Sequence, residues 1–285
     1  MTFDEIASRI GRVEALDRIA EPLGKAAKKL LPRGALKDAL SGTWLGHPLH
    51  PLLTDIPIGS FTSASILDLI GGRRAQPAAN ALVAVGVLST APTAAAGLAD
   101  WSDTFGSARR IGVVHATTNI VGVSLYTMSF FARRRGNRAC AAALGLLGMS
   151  VMSVGGYLGG HLTFVRGVGV NHTMLEDPPI DWMPAFAESD LVEGKPTRVE
   201  LDGRAVLLRR RDDVIDALSN RCTHAGGPLD EGTFEGDGAE VCVTCPWHQS
   251  TFRMRDGAVV HGPASVAQPA YETRVRDGIV EIRPR

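Results

Sequence analysis

The chain has no excess of charge, few aromatic residues and few cysteines. Its 30 Lys and Arg residues balance 30 Asp and Glu residues, so the composition gives no sign of a nucleic-acid partner. Of its 4 cysteines, Cys140 lies in an apolar run far from the other three, which argues against a disulfide scaffold. The first apolar residues are periodic rather than continuous, so we expect no secretory signal peptide.

Residues 2–31 carry apolar side chains every three or four positions, beginning with Phe3, Ile6 and Ile10, and charged side chains lie between them. Thr2 and Glu5 have the spacing of a capping box. The pattern predicts an amphipathic helix within an N-terminal segment, residues 1–43. Two interpretations stay open, since this helix can pack on protein or lie in a membrane interface.

Four apolar runs follow, at residues 52–70, 81–99, 111–132 and 139–165. A membrane-spanning helix needs about 20 residues, and each run is close to that length. The runs are rich in Gly, Ala, Ser and Thr, which let helices approach closely in lipid. Only Asp55 and Asp68 interrupt them. We therefore predict a four-helix transmembrane bundle over residues 44–168, in a lipid bilayer, in preference to four buried helices of a soluble bundle.

An even number of spans brings both ends of the bundle to one side of the membrane, and His47, His50, His115 and His161 all fall near that side. His115 and His161 would lie at matched depth, ~6 Å from their helix ends. Such histidines suit a haem held by two imidazoles or a quinone site, although bonds to backbone or headgroups are the alternative. Pro48, Pro51 and Pro57 predict that His50 lies in a constrained turn instead of an ordinary helix.

The stretch GHPLHPLLTDIPIG resembles the opening of a membrane-domain family of unassigned function that has four helices. The resemblance covers residues 44–165, and some members of that family are fused to a domain of the kind described next. It implies haem b or quinone chemistry in the bundle.

From about residue 184 the sequence changes to short alternating stretches such as TRVEL and GIVEIRP, punctuated by Gly and Asp. After a linker at 169–183, this predicts an all-β domain over residues 184–285. It contains two Cys-then-His units, Cys222-Thr-His224 and Cys245-Pro-Trp-His248. Two thiolates on one iron and two imidazoles on the other form a mixed-ligand [2Fe–2S] centre. A zinc site of Cys222, His224, Cys242 and Cys245 is the alternative.

The segments CTHAGGPL and CPWHQSTF resemble the two cluster-binding loops of Rieske ferredoxins. The resemblance runs over residues 184–285 and implies a [2Fe–2S] cluster held by Cys222, His224, Cys245 and His248. It makes Cys242 a small strand residue next to the second loop. It also implies that GPASVAQPAYE covers the cluster and that His261, just before it, is a surface residue.

The departures from that family concern the residues around the cluster. High-potential Rieske proteins carry one more Cys in each loop, joined as a disulfide, where this chain has Gly227 and Trp247. Ser250 matches a Ser whose hydroxyl bonds to sulfur, but Phe252 stands in place of a Tyr. Fewer hydrogen bonds to sulfur lower the potential, so we expect the lower part of the Rieske range, about −150 mV upward. Gln249 stands where the family commonly has Gly.

Together these features predict a membrane-anchored electron-transfer protein, which passes single electrons between a soluble redox partner and a haem or quinone. One alternative is a Rieske-type oxygenase component with iron on His47, His50 and Asp55. Another is a membrane-tethered ferredoxin that serves a separate oxygenase or reductase. Positive residues flank both sides of the bundle almost equally, but no twin-arginine leader is seen, so we expect the Rieske domain in the cytoplasm.

Overall fold

The computed structural model describes residues 2–176 and 179–285, so Met1 and two residues of the expected linker lie outside it. Two compact units are present. The first contains residues 2–31 and 49–168, and the second contains residues 32–48 together with the described residues from 169 onward. The first unit is helical, and the second combines one short helix with the β-strands.

Two amphipathic helices, α1 (Phe3–Arg12) and α2 (Asp17–Leu30), replace the single helix expected over residues 2–31, because a 3₁₀ turn (Glu14–Leu16) separates them. The capping box is confirmed, since the Thr2 hydroxyl accepts the Glu5 N–H and the Glu5 carboxylate accepts the Thr2 N–H.

Small residues bury one face of these two helices, whereas their large apolar side chains stay exposed. Gly11 approaches Ser107 and Ile111 closely, and Ala7, Ala20 and Ala27 are buried. The exposed apolar residues are Phe3, Ile6, Val13, Ile19, Leu23 and Leu30. The helices thus pack on the first unit and also present an apolar surface of the kind that enters a membrane interface.

Four long helices follow, and their bounds confirm that each apolar run is helical. They are α4 (Leu49–Ile70), α5 (Gln76–Ser102), α6 (Gly106–Arg134) and α7 (Arg138–Phe164), with a short α3 (Ala35–Ser41) before them in the second unit. Within the described residues, three helices are long and apolar enough to cross a membrane, namely α5, α6 and α7. Two Asp, one His and two Pro residues lower the apolar character of α4.

The expectation that prolines keep His50 out of an ordinary helix is wrong. Pro51 lies in the first turn of α4, where a backbone N–H has no partner within the helix in any case. Pro57 lies inside the helix and cannot donate to the carbonyl of Leu53. The Thr93 hydroxyl of α5 donates to that carbonyl instead, at 3.1 Å, and so compensates for the missing hydrogen bond.

An aromatic stack and a buried ion pair lie in the interior of the bundle. Phe61 stacks on Tyr126 with ring centroids 4.0 Å apart, and the Tyr126 hydroxyl is hydrogen-bonded to Ser65. Arg133 donates to both oxygens of Asp68, and the two side chains are 4% and 1% exposed. Large apolar side chains cover the outside, including Ile56, Leu88, Ile120, Phe131 and Leu147. Apolar residues outside and a paired charge inside are typical of a protein in lipid.

The second unit confirms the all-β prediction. Its strands are β1 (Met183–Ala187), β2 (Pro196–Leu201), β3 (Arg204–Arg211), β4 (Val214–Ser219), β5 (Thr233–Glu235), β6 (Cys242–Thr244), β7 (Thr251–Arg253), β8 (Val259–His261), β9 (Ala270–Arg276) and β10 (Ile279–Pro284). In the described residues they form a six-stranded sheet, β1-β10-β9-β4-β3-β2, and a four-stranded sheet, β5-β6-β7-β8, with antiparallel neighbours throughout.

Asp-Gly pairs close two of the hairpins. Asp202-Gly203 joins β2 to β3 and Asp277-Gly278 joins β9 to β10, and all four residues have positive φ. This is the backbone of a type I′ turn, whose twist matches that of the flanking strands.

The segment of residues 32–48 packs on the β-strands of its own unit. Asp38 of α3 accepts hydrogen bonds from His261 Nδ1 at 2.9 Å and from the backbone N–H of Gly262 at 2.8 Å. Arg33 donates to the Thr251 hydroxyl at 2.7 Å. The His261 side chain is 40% exposed, as expected of a surface residue, and it is also held by this hydrogen bond to Asp38.

Candidate metal centre

Two loops of the second unit carry the Cys-then-His units. The first follows β4. The backbone N–H of Cys222 donates to Gly227 O at 2.9 Å, and that of Gly226 donates to Cys222 O at 2.8 Å. Gly226 has a φ of 78°, which glycine adopts without strain. The turn leaves the intervening His224 at its tip.

The second loop follows β6 and closes in the same way. The N–H of Cys245 donates to Ser250 O at 2.8 Å, and that of Gln249 donates to Cys245 O at 3.0 Å. Gln249 has a φ of 66°, in the region that glycine prefers. This conformation explains why related loops carry Gly there. The two loops are thus matching turns, each with a left-handed residue four positions after its Cys.

The two cysteines at the start of these loops meet in the interior. Cys222 and Cys245 are both buried. The hydrogen bond from Cys222 lowers the pKa of Cys245 to about 7, and the same bond together with burial raises the pKa of Cys222. Two thiols that share a proton are close enough to bind one metal ion as thiolates.

The two histidines form a second pair. The rings of His224 and His248 lie 4.9 Å apart between centroids, at 82° to each other. Burial first, and then the charges of His248, His172 and Lys37, lower the pKa of His224 to about 3. Its Nδ1 is buried and has no hydrogen-bond partner, and Nδ1 of His248 is also shielded from solvent. A neutral imidazole with an open nitrogen is the form that binds a metal.

A thiol pair beside an imidazole pair fits two irons better than one ion. Within residues 2–176 and 179–285, no three His, Cys, Asp or Glu side chains are placed to hold a single metal ion. The zinc set with Cys242 is therefore not assembled, and within the first unit His50 and Asp55 belong to no such group. The Cys242 thiol instead donates to the Glu240 carbonyl at 3.3 Å, outside both loops.

The neighbouring residues named in the sequence lie where they can influence this site. A Cβ on Gly227 would stand 2.8 Å from Cys245 Sγ and 3.0 Å from the Trp247 ring, so the absence of a side chain lets the two loops meet. Ser250 is buried, and its Oγ accepts the N–H of Ala264 at 2.9 Å, which leaves its hydroxyl hydrogen free to donate elsewhere. Phe252 is fully buried in the adjacent core.

Gln268 is a residue that sequence reasoning missed. Its side chain is buried; its Oε1 accepts the Thr223 N–H at 3.1 Å, and its Nε2 donates to the carbonyls of Ser219 and Arg221 at 2.8 and 2.6 Å. It therefore fixes the first loop from the segment expected to cover the cluster. A polar residue within the segment GPASVAQPAYE is the feature of the sequence that could have indicated this role. Lys37, whose charge acts on His224, gave no such signal because it lies far away in the sequence.

The histidines of the helical half are placed differently from one another. His50 and His115 have ring centroids 6.4 Å apart in the first unit. His161, also in that unit, is buried beside Tyr157, with its Nδ1 3.5 Å from a carboxylate oxygen of Asp4. His47 belongs to the second unit, and its Nδ1 lies 3.0 Å from the carbonyl of Pro48.

Two family models match the chain. Residues 181–272 match the Rieske [2Fe-2S] domain, and residues 46–172 match a family described as "Predicted membrane protein (DUF2231)".

Curated relatives match the C-terminal part. The ferredoxin CarAc of Metapseudomonas resinovorans is 33% identical over 102 residues, which are 35% of this chain and 92% of that protein. The anthranilate 1,2-dioxygenase ferredoxin subunit of Burkholderia cepacia is 31% identical over 109 residues, 38% of this chain and 97% of its own length. Among solved structures, the ferredoxin of carbazole 1,9a-dioxygenase from Nocardioides aromaticivorans IC177 is 30% identical, with a TM-score of 0.34, and covers 36% of this chain and 98% of its own.

The matching loops, the paired thiols and imidazoles and the curated relatives all indicate the same kind of iron–sulfur centre. The helical part matches a model of predicted membrane proteins, and the chain belongs to the family of Rieske [2Fe–2S] proteins.

Proposed function

We propose that the protein is a membrane-anchored carrier of single electrons. Cys222 and Cys245 would hold one iron of a [2Fe–2S] cluster, and His224 and His248 would hold the other. The cluster supplies a one-electron couple whose electron resides on the imidazole-bound iron. The observation that carries the proposal is the meeting of a buried thiol pair and an imidazole pair, with ring centroids 4.9 Å apart, on two matching turns.

The residues of this chain would hold the cluster, exclude water from the sulfur side and tune its potential. The buried core around Cys222 and Cys245 excludes water, and Gln268 keeps the first loop in place. Trp247 is about half exposed (51%) beside His248, with the two ring centroids 6.5 Å apart, and marks the surface at which a soluble redox partner would dock. The ferredoxin components among the relatives support this role.

Four spans are proposed for the helical part, namely α4 in addition to α5, α6 and α7. Its 22 residues extend about 33 Å at 1.5 Å per residue, enough for a hydrocarbon core of about 30 Å. Its buried Asp68 is neutralised by Arg133, which removes the main cost of placing it in lipid. Exposed apolar side chains on all four long helices support the same arrangement.

The cluster ligands are tested on protein purified in detergent. We expect two irons and two acid-labile sulfides per chain, with a Rieske-type electron paramagnetic resonance (EPR) spectrum after reduction. Cys222→Ser and His248→Ala should each abolish the spectrum. Cys242→Ser and Cys140→Ser are matched controls that should leave it unchanged. Zinc in place of iron, or loss of the cluster from the Cys242 variant, would contradict the ligand set.

The membrane part is proposed to exchange electrons with the cluster through a haem or quinone near His50, His115 or His161. A tethered ferredoxin is the second candidate, because the similar proteins are ferredoxins and one of them is the ferredoxin subunit of a dioxygenase. Cluster oxidation and reduction in native membranes distinguish them. Slower kinetics in the His115→Ala variant would support a redox site in the bundle, whereas unchanged kinetics would support the tether.

A further inference from the structure

Two histidines face each other across the two hairpins of the helical unit. His50 lies in the first turn of α4, which pairs with α5, and His115 lies on α6, which pairs with α7. Their ring centroids are 6.4 Å apart, and the ring planes cross at 84°. Both rings are half-buried within the same unit.

The hydrogen bonds of each ring fix its tautomer. His50 Nδ1 lies 2.9 Å from the carbonyl oxygen of Thr93, and His115 Nδ1 lies 2.8 Å from that of Gly155. A carbonyl oxygen only accepts, so each Nδ1 carries the hydrogen and each Nε2 keeps its lone pair. The Asn119 amide nitrogen lies 3.4 Å from both ring nitrogens of His115 and therefore does not lie along the Nε2 lone pair. An imidazole that donates one N–H to a backbone carbonyl is in the usual state of a metal ligand.

Glycines place both rings. A Cβ on Gly97 would stand 2.8 Å from the His50 ring, and one on Gly159 would stand 3.0 Å from His115 Cε1. Each imidazole thus lies against a glycine of the neighbouring helix in its own hairpin. Within the GGYLGG pattern, Gly159 permits this approach and Gly155 lies against Asn119, whereas Gly156 has open space around it.

The separation of the rings discriminates between a metal and a quinone. An imidazole nitrogen binds a metal at about 2.0 Å, so two imidazoles on opposite sides of one ion have ring centres about 6 Å apart. A quinone bound to both rings would hold them much farther apart, because each hydrogen bond adds about 2.8 Å to the width of the quinone itself. A quinone carbonyl also needs a donor, and both Nε2 atoms have only a lone pair to offer.

We propose that His50 and His115 are the two axial ligands of a haem iron bound between the hairpins. With these two imidazoles as ligands, the iron would have its remaining positions available to a tetrapyrrole. This inference rests on the proposed function, for which it names the membrane cofactor. It assigns no role to His161, which lies beside α1, or to His47, which lies in the other unit.

The test uses the full-length protein, produced with a haem precursor and also reconstituted with haemin in detergent. We expect one haem per chain, with the low-spin spectrum of bis-imidazole ligation, measured by the pyridine haemochrome assay and by EPR. His50→Ala and His115→Ala should each abolish that low-spin spectrum, and His161→Ala should retain it. Gly159→Ala, which keeps both ligands but pushes on the His115 ring, should weaken haem binding at least tenfold.

The cluster serves as the internal control for folding, since each variant should keep the Rieske EPR signal at full intensity. The Cys222→Ser variant should in turn lose the cluster and keep the haem, which separates failure of this inference from failure of the proposed function. Absence of haem after both treatments, a metal ion bound without porphyrin, or an unchanged haem spectrum in the His50 and His115 variants would overturn the assignment.

Discussion

At the scale of single residues, the cluster site depends on side chains that are missing as much as on those that are present. Gly227 has no Cβ, and therefore Cys245 Sγ and the Trp247 ring can approach the first loop. The sequence resemblance implies that the extra cysteines of high-potential Rieske proteins would stand at these same two positions, Gly227 and Trp247. In this chain the Trp247 ring packs on Gly227 at the positions where those proteins would have a disulfide.

Gly227→Ala should impair cluster binding. The new methyl would stand 2.8 Å from Cys245 Sγ, so one loop must move, at a cost of about 1–3 kcal/mol typical of overpacking. We expect reduced iron content and a lower melting temperature. Gly156→Ala is the matched control, because its Cβ would enter open space. Full iron content in the Gly227 variant would contradict the close approach.

Lys37→Met should lower the reduction potential of the cluster. Lys37 is buried, and its charge acts on the His224 ring. A nearby cation stabilises the reduced cluster, which carries one more negative charge. For a one-electron couple, about 59 mV corresponds to a tenfold change in the equilibrium constant, and we expect a shift of that order. Voltammetry measures it, with the exposed Lys195→Met as the control. A potential equal to that of the control would sink the prediction.

At the scale of elements, the structure of α4 could not be predicted from its own sequence, because it depends on contacts with other helices. Its prolines suggested an interrupted segment, but Thr93 of α5 supplies the hydrogen bond that Pro57 cannot make. Its acidic residue Asp68 places a charge inside an apolar helix, but Arg133 of α6 neutralises that charge. Both compensations come from other helices, so a single-helix pattern does not contain them.

Asp68→Asn should destabilise the helical unit by about 3–5 kcal/mol, because it leaves the buried Arg133 without a counter-charge. The double variant Asp68→Leu with Arg133→Met removes both charges and should recover most of that loss. Unfolding in detergent, followed by circular dichroism, measures the difference. Equal stability of the single and double variants would show that the pair is exposed to water.

At the scale of the whole molecule, the proposed four-span arrangement would put the connection between α6 and α7 on the membrane side opposite the Rieske domain. Cys140, near the start of α7, is exposed. With the Rieske domain in the cytoplasm, a membrane-impermeant maleimide should label Cys140 in sealed right-side-out vesicles.

The control is Ser189→Cys in a variant with Cys140→Ser, since Ser189 is exposed in the second unit and should react only after permeabilisation. If Ser189→Cys reacted in sealed vesicles and Cys140 reacted only after permeabilisation, the Rieske domain would lie outside the cytoplasm. Labelling of both positions in sealed vesicles would show that α7 does not cross the membrane.

The sequence by itself located the four long helices, although not their ends, and it predicted the all-β nature of the C-terminal unit and the four candidate cluster ligands. Periodicity and the two Cys-then-His units are local signals, and each specifies the structure of its own segment. Only the tertiary structure decided that His115 faces His50, that Lys37 and Asp38 belong to the second unit and that Gln268 fixes the first loop. These facts depend on which segments pack together, and packing between distant segments leaves no periodic trace in one sequence.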